Sequence, residues 1–357
     1  LLSLTLRQLR QEASKLSVPL YSRKTKAVLV DLIFKYQGKS SNETNISSPQ
    51  QIYEDNFESN NFNNSEEIKT NVVFASKGLA QRLQQEGVNS PADVVLTVDI
   101  ARLSVYADKG LFAKVNSQIL NDTIPKHLRD KEGFWYGLSM RSRVIGVSKE
   151  RVQKGEINKY EDLADPKWKG RICSRPGSHV YNRALVASMI ATHGEAKAEN
   201  WARGVVANFA RRPQGNDRAQ AKAIFQGECD VAIMNHYYYG KMLKSDKAAQ
   251  RDWANAINIV FGNQGADERG AHVNISGGGV TLHSKNKSNA IRLLEFLVSD
   301  EAQMLYGQIN YEYPVNPATP IAPELKIWGD FKKDRLPISK LAELAPKAQM
   351  IIDRVGW

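Results

Sequence analysis

From about residue 71 onward, short apolar runs alternate with amphipathic stretches. "VVF" leads into "GLAQRLQQEG", and "ADVVLTV" leads into "DIARLSVYADKGLF". "RVIGVS", "DVAIMN", "AINIVF" and "VNISGGGVTLH" read as further strands, with helices such as "NAIRLLEFLVS" and "DEAQMLYGQI" between or after them. Strands alternating with helices predict an α/β body with a largely parallel sheet. No internal repeat of roughly 20–50 residues interrupts this texture.

Two different textures precede it. Over residues 4–36, Thr5 and Gln8 fit a capping box, and Leu6, Leu9, Ala13 and Leu16 follow at helical spacing. Beyond "SVPLYSR", Val28, Leu29, Leu32, Ile33 and Tyr36 share one helical face, which predicts a small two-helix module in residues 1–36. Residues 37–70 are Asn/Ser-rich, acidic and nearly free of aliphatics, so they cannot bury enough surface to offset ordering entropy and read as a disordered linker.

A chain of 357 residues has room for two ordinary domains or one two-lobed body. No apolar stretch approaches the ~20 residues of a membrane-spanning helix, so no stable membrane insertion is expected. The opening "LLSLTLRQLRQEASKL" breaks its apolar residues with Arg7, Arg10 and Lys15, and does not read as a secretory signal peptide. The net charge of +11 would attract anions, nucleic acid or acidic lipid, and is equally consistent with general solubility. Cys173 and Cys229 are the two cysteines and form no C-x-x-C, which excludes zinc ribbons and thioredoxin-like chemistry. In an oxidising compartment the two would pair and stabilise by roughly 4 kcal/mol; in a cytosol they would stay thiols.

The search for catalytic motifs is negative. The six histidines include no H-E-x-x-H pair. There is no G-x-S-x-G elbow, P-loop or dinucleotide fingerprint, so the chain does not read as an enzyme. "SGGGV" (276–280) fits a turn or close-packing site better than a phosphate cradle. What stands out is "NHYYYGKML", where Tyr237, Tyr238 and Tyr239 follow the apolar run "CDVAIM". Buried phenols need partners, and aromatic clusters are most often packing. At the carboxyl end of a strand, however, a strand-to-helix turn lets such side chains converge where α/β proteins bind ligands. A phenol ionises near pH 10 and needs a strong cation to become phenolate at neutral pH; Fe(III) is such a cation.

Residues 78–357 resemble the periplasmic ferric-iron-binding proteins of bacterial iron ABC importers, in particular the iron-deficiency-induced branch of cyanobacteria and proteobacteria. The stretches that carry the likeness are "GVNSPADVVLTVDIARL", "YEDLADPKWKGRIC", "ANFARRPQGNDRAQ", "NHYYYGKML", "AHVNISGGGV", "INYEYPVNP" and "DRVGW". The resemblance implies a type II periplasmic binding protein fold with two lobes and a hinge. Lobe one would comprise residues 71–144 and 271–310, lobe two residues 145–270, and a helical segment, 311–357, would pack on both. It also implies Fe(III) capture by Tyr181, Tyr237 and Tyr238, with Tyr239 as packing, and a synergistic anion such as carbonate or citrate. Arg143 would hold that anion or balance phenolate charge, against the plain alternative of a surface arginine. His179 and His236 adjoin the tyrosines without matching a ligand position. The family implies a periplasmic monomer, a disulfide between Cys173 and Cys229, and ABC importer permease subunits as partners. One departure is clear: "EEIKTNVVFASKGLAQRL" stands where a first strand and a His-Tyr ligand pair belong, so both are expected to be absent and affinity to fall.

Residues 4–36 resemble a SAP-like or Rho-N-terminal helix–loop–helix module, with Arg23, Lys24 and Lys26 as phosphate contacts. A competing reading makes "PLYSRKTKAVLVDLIFKYQG" a degenerate form of the missing strand–loop–helix. Two alternatives to iron capture therefore stand: a nucleic-acid-associated fusion with an impaired binding-protein body, cytoplasmic in that case, and a binder of another anionic or polyamine solute.

Overall fold

The computed structural model describes residues 68–75 and 78–357. The helical module at residues 4–36, with Arg23, Lys24 and Lys26, and most of the linker lie outside the described residues. The chain divides into Leu1–Asn71 and Val72–Trp357, and the second unit carries the strands and helices that follow.

The strands are β1 (Val94–Val98), β2 (Tyr136–Ser148), β3 (Ile172–Cys173), β4 (Val231–Asn235), β5 (Ile257–Val260) and β6 (Val273–Val280). Their order is β1-β6-β2-β4-β3, with β5 also paired to β2. Strand β2 organises the rest. All of its 13 residues are buried, so neither face is available to solvent. Up to Ser142 it pairs with β6, and from Arg143 onward it pairs with β4 and β5. The strand thus passes from one sheet into the next between Ser142 and Arg143. The apolar run "RVIGVS" reveals only its second half, because Ser139, Arg141 and Arg143 break the pattern upstream.

The pairing differs from the expected parallel sheet. Only β3–β4 is parallel; β1–β6, β2–β6, β2–β4 and β2–β5 are antiparallel. Strand–helix alternation suggests parallel neighbours, but the two long strands β2 and β6 take the middle places of the order, and every pairing they make is antiparallel. The expected strand at Val72–Phe74 does not form either: Phe74 is 93% exposed and the run is irregular. Strand β1 ends the order, with no described strand on its outer edge. An apolar run without a neighbour for its backbone groups has nothing to hold it as a strand.

The remaining framework fixes the loops around the crossing. Cys173, at the end of β3, is disulfide-bonded to Cys229, just ahead of β4, across 56 residues of chain. Helix Ile338–Glu343 lies against both helix Ile100–Asp108, which follows β1, and helix Val180–His193 of the other sheet. The glycine run of β6 is a packing device. A Cβ at Gly277 would meet the Tyr136 carbonyl oxygen at 2.5 Å and Leu103 Cδ1 at 2.8 Å; one at Gly279 would meet the Phe134 carbonyl oxygen at 2.5 Å. Backbone cannot yield as a flexible side chain can. Gly277→Ala is therefore expected to cost about 1–3 kcal/mol and lower the thermal midpoint by several degrees. A melting curve superimposable on that of the parent would contradict this packing.

Candidate functional site

Strand β4 ends at Asn235, and helix His236–Leu243 begins at the next residue. The turn sets Tyr237 and Tyr238 at the helix start, their rings stacked with centroids 4.5 Å apart. Helix α1 (Val180–His193) brings Tyr181 to the same place, capped by the His179 side chain, which accepts from the Tyr181 N–H. The Tyr237 hydroxyl donates to the Tyr181 hydroxyl at 3.1 Å. All three expected tyrosines thus converge, whereas Tyr239 turns away to pack against Trp328. Burial and the neighbouring Tyr181 hold the Tyr237 hydroxyl well above its ordinary pKa, which keeps it a neutral, hydrogen-bonded phenol.

Cations surround these rings. The Arg141, Arg143 and Arg175 guanidinium carbons lie 5.3, 5.8 and 5.1 Å from the Tyr181 ring centroid, and that of Arg218 lies 4.9 Å from the Tyr238 centroid. Such placement favours electron-rich oxygen and would favour phenolate further. The two strand arginines do different work. Arg143 is 2% exposed, which excludes the surface-arginine reading. Its Nη1 pairs with Asp217 at 2.7 Å, and its Nη2 donates to Asn182 Oδ1 at 2.6 Å. Asp217 opens helix α2 (Asp217–Phe225), pairs also with Arg175 at 3.0 Å, and accepts the Asn235 N–H at 2.8 Å. Arg143 is thereby committed to a buried ion-pair cluster, and only its Nε lacks a hydrogen-bond partner.

Arg141 lies two residues earlier, on the same face of β2. Its Nη1 donates to Ser276 Oγ at 2.9 Å, and its Nη2 lies 3.7 Å from the Asp99 carboxylate. Neither Nε nor Nη2 has a hydrogen-bond partner, and the same holds for Asn235 Nδ2. These groups line one small cavity together with Asp99, Arg143, Tyr181, His272 and Asn274. The Asp99 carboxylate answers the Arg141 charge from one side of this cavity, while the donors without hydrogen bonds, Arg141 Nε and Nη2 and Asn235 Nδ2, are of the kind an oxyanion accepts from. The resemblance gave Arg143 either the anion or the balance of phenolate charge; Arg143 lies in the Asp217 ion-pair cluster, and of the two strand arginines Arg141 has more nitrogens without a hydrogen bond. The missed signal was the period-two repeat in "MRSR", which sets both arginines on one face.

Glu312 was also missed. Its buried carboxylate accepts from Ser139 Oγ at 2.5 Å and from Ser276 Oγ at 2.8 Å, next to Arg141. His236, adjoining the tyrosines, is spent on backbone: Nδ1 accepts from the Ser142 N–H at 3.0 Å and Nε2 donates to the Tyr311 carbonyl at 2.7 Å. It therefore ties the tyrosine helix to the crossing point of β2. Among the described residues, His, Cys, Asp and Glu nowhere gather in a set of three able to hold a metal ion. A metal at this site would rest on phenol oxygens.

A two-sheet body with donor-lined tyrosines at the crossing of its shared strand defines a solute-binding protein. The chain belongs to the bacterial extracellular solute-binding protein family, whose model matches residues 89–333. It is 45% identical over 290 residues to iron uptake protein A2 of Synechocystis sp., covering 81% of this chain and 84% of that one. It is 30% identical to the major ferric iron-binding protein of Neisseria meningitidis serogroup B, covering 67% of this chain and 70% of that one. Among solved structures, a Trichodesmium protein (IdiA, FutA) in complex with iron and citrate ligands superposes with a TM-score of 0.76 at 46% identity, covering 78% of this chain and 88% of that chain. The fold is thus the type II periplasmic binding protein fold of these structures.

The buried imidazoles make the site acid-sensitive. Burial pushes His236 down to about 4, and burial also lowers His179, to about 3, and His272. A lowered folded-state pKa means that the unfolded chain takes the proton first. The stability contribution is complete above the free imidazole value of about 6.5 and is lost as pH falls toward the folded value. His236 alone is expected to cost about 2 kcal/mol by pH 5 relative to pH 7. Thermal unfolding at the two pH values measures this; an equal or higher midpoint at pH 5 would contradict it.

Proposed function

We propose that the chain is the substrate-binding component of an ABC importer, working in the periplasm and capturing ferric iron through Tyr181, Tyr237 and Tyr238. The observation that carries this reading is the pair of phenol oxygens, Tyr237 and Tyr181, 3.1 Å apart, with the Tyr238 ring stacked beside them. Iron and ferric-iron names among the relatives support the choice of metal. Fe(III) is hard and oxygen-seeking, and its charge would replace the proton on the Tyr237 hydroxyl. Three phenolates balance a trivalent ion, and the remaining positions fall to water or to an oxyanion such as carbonate or citrate. We assign that anion to Arg141 Nε and Nη2, which make no hydrogen bond although Nη2 faces Asp99 at 3.7 Å, and to Asn235 Nδ2, with Arg143 holding the cluster behind them.

Residues up to Ser142 and from 273 belong to one sheet, and those from Arg143 to 260 to the other, so closure would pivot where β2 changes sheets. Hinge closure of this kind is how two-lobed binding proteins enclose a solute, and permease subunits would recognise the closed form.

Loading with ferric citrate is expected to turn the protein red-brown through phenolate-to-iron charge transfer. The colour should be lost in Tyr237→Phe plus Tyr238→Phe, with the fold retained by circular dichroism. In Arg141→Met the colour should persist while iron retention against a competing chelator falls about tenfold or more, the scale of a charged hydrogen bond. Colourless protein after loading would sink the reading, and unaltered retention in Arg141→Met would remove the anion assignment.

A further inference from the structure

Trp357 lies far along the chain from the tyrosines, yet its side chain ends on the loop that launches helix α1. Helix α3 (Ala345–Val355) closes at Gly356, and Trp357 then turns inward, 8% exposed, with its ring against Trp201 and Phe209. Its indole Nε1–H donates to Ser174 Oγ at 3.0 Å. That hydroxyl also accepts from Asn182 Nδ2 at 3.1 Å and donates to the Arg175 carbonyl at 2.9 Å. A hydroxyl has one donor and two acceptor sites, and all are used here. Asn182 is next to Tyr181 and takes the Arg143 guanidinium on its Oδ1 at 2.6 Å. Its amide nitrogen reaches back to the Arg175 carbonyl at 3.0 Å. A continuous hydrogen-bonded chain thus runs from the indole to the first turn of the helix that carries Tyr181.

The same loop is wedged sterically. A Cβ at Gly177 would meet Trp357 Cγ, the Trp357 carbonyl oxygen and Ile352 Cγ2, each at 2.8 Å. The Gly177 N–H donates to the Trp357 carbonyl at 3.3 Å. The loop at 174–179 therefore has little freedom while Trp357 is seated. The rings of Trp201 and Phe209 account for burial of the indole face; they do not account for its N–H being spent on Ser174, which is hydrogen-bonded to Asn182, the neighbour of Tyr181.

We propose that Trp357 is a positioning residue for Tyr181, setting the register of the first turn of α1 through Ser174 and Asn182. The proposal rests on the phenol-site reading for its consequence but not for its structural content, and the test separates the two. In the full chain with 3-fluorotyrosine at position 181, the fluorine resonance of the iron-free protein is compared between the parent and Trp357→Phe, which keeps a ring but removes the indole N–H. The resonance is expected to move or broaden, and ferric iron affinity, read from ferric citrate titration, to fall about tenfold, the scale of one buried hydrogen bond. In a Tyr181→Phe background the same substitution is expected to cause no further loss of affinity, because positioning a phenol that is gone has no effect. An unmoved fluorine resonance overturns the proposal, and so does an affinity loss of equal size in both backgrounds, which would mark a general structural role. If Trp357→Phe does not fold, Ser174→Ala breaks the same chain and is judged by the same readouts. If the parent takes up no iron, the phenol-site reading fails while the fluorine resonance still decides the positioning role.

Discussion

Two buried arginines on one strand are the constraint around which this body is built. Strand β2 is buried along its whole length, yet Arg141 and Arg143 bring two guanidinium groups to the point where it leaves one sheet for the other. Burying an ion without partners costs several kcal/mol even after relaxation. Asp217 meets that demand for Arg143 and, at the same time, for Arg175. Its helix start, the loop at 174–179, the end of β4 and the crossing strand are all tied to that one carboxylate. The tyrosines belong to elements that this cluster holds: Tyr181 is next to Asn182, and Tyr237 and Tyr238 follow Asn235 closely.

Neutralisation is deliberately uneven in its outcome. Arg143 is almost fully committed, whereas Arg141 reaches Asp99 at 3.7 Å and keeps two nitrogens free of hydrogen bonds. Glu312, held by Ser139 and Ser276, adds negative charge nearby without contacting those nitrogens by hydrogen bond. The pocket therefore sets the protonated Tyr237 phenol beside donors that make no hydrogen bond, an arrangement in keeping with the proposed capture of a trivalent cation together with an oxyanion. The charge of each partner offsets the desolvation cost of the other.

Much of this was legible in the chain. The apolar runs located β1, β4, β5 and β6, and the adjacent tyrosines after a buried strand pointed to the turn where Tyr181, Tyr237 and Tyr238 meet. Other features escaped for physical reasons. A strand with arginines on a buried face does not look apolar, so the first half of β2 was hidden. Pairing direction is not written in periodicity, so the antiparallel partners of β2 and β6 were read as parallel. Which of the two neighbouring arginines enters the tighter ion pair depends on Asp217, whose position 74 residues from Arg143 is set by the fold alone. Glu312 and Trp357 lie in "INYEYPVNP" and "DRVGW", but what their side chains contact is set by tertiary structure and is not written in those stretches.

The central claim is that phenol oxygens of this chain bind trivalent iron directly. Resonance Raman spectroscopy excited within the visible absorption of the iron-loaded protein tests it at the bond itself. The account predicts enhanced ring and C–O modes of iron-bound tyrosinate, shifted when tyrosine is isotopically labelled. A loaded protein whose enhanced spectrum contains no tyrosinate modes, with iron held by other groups, would contradict it.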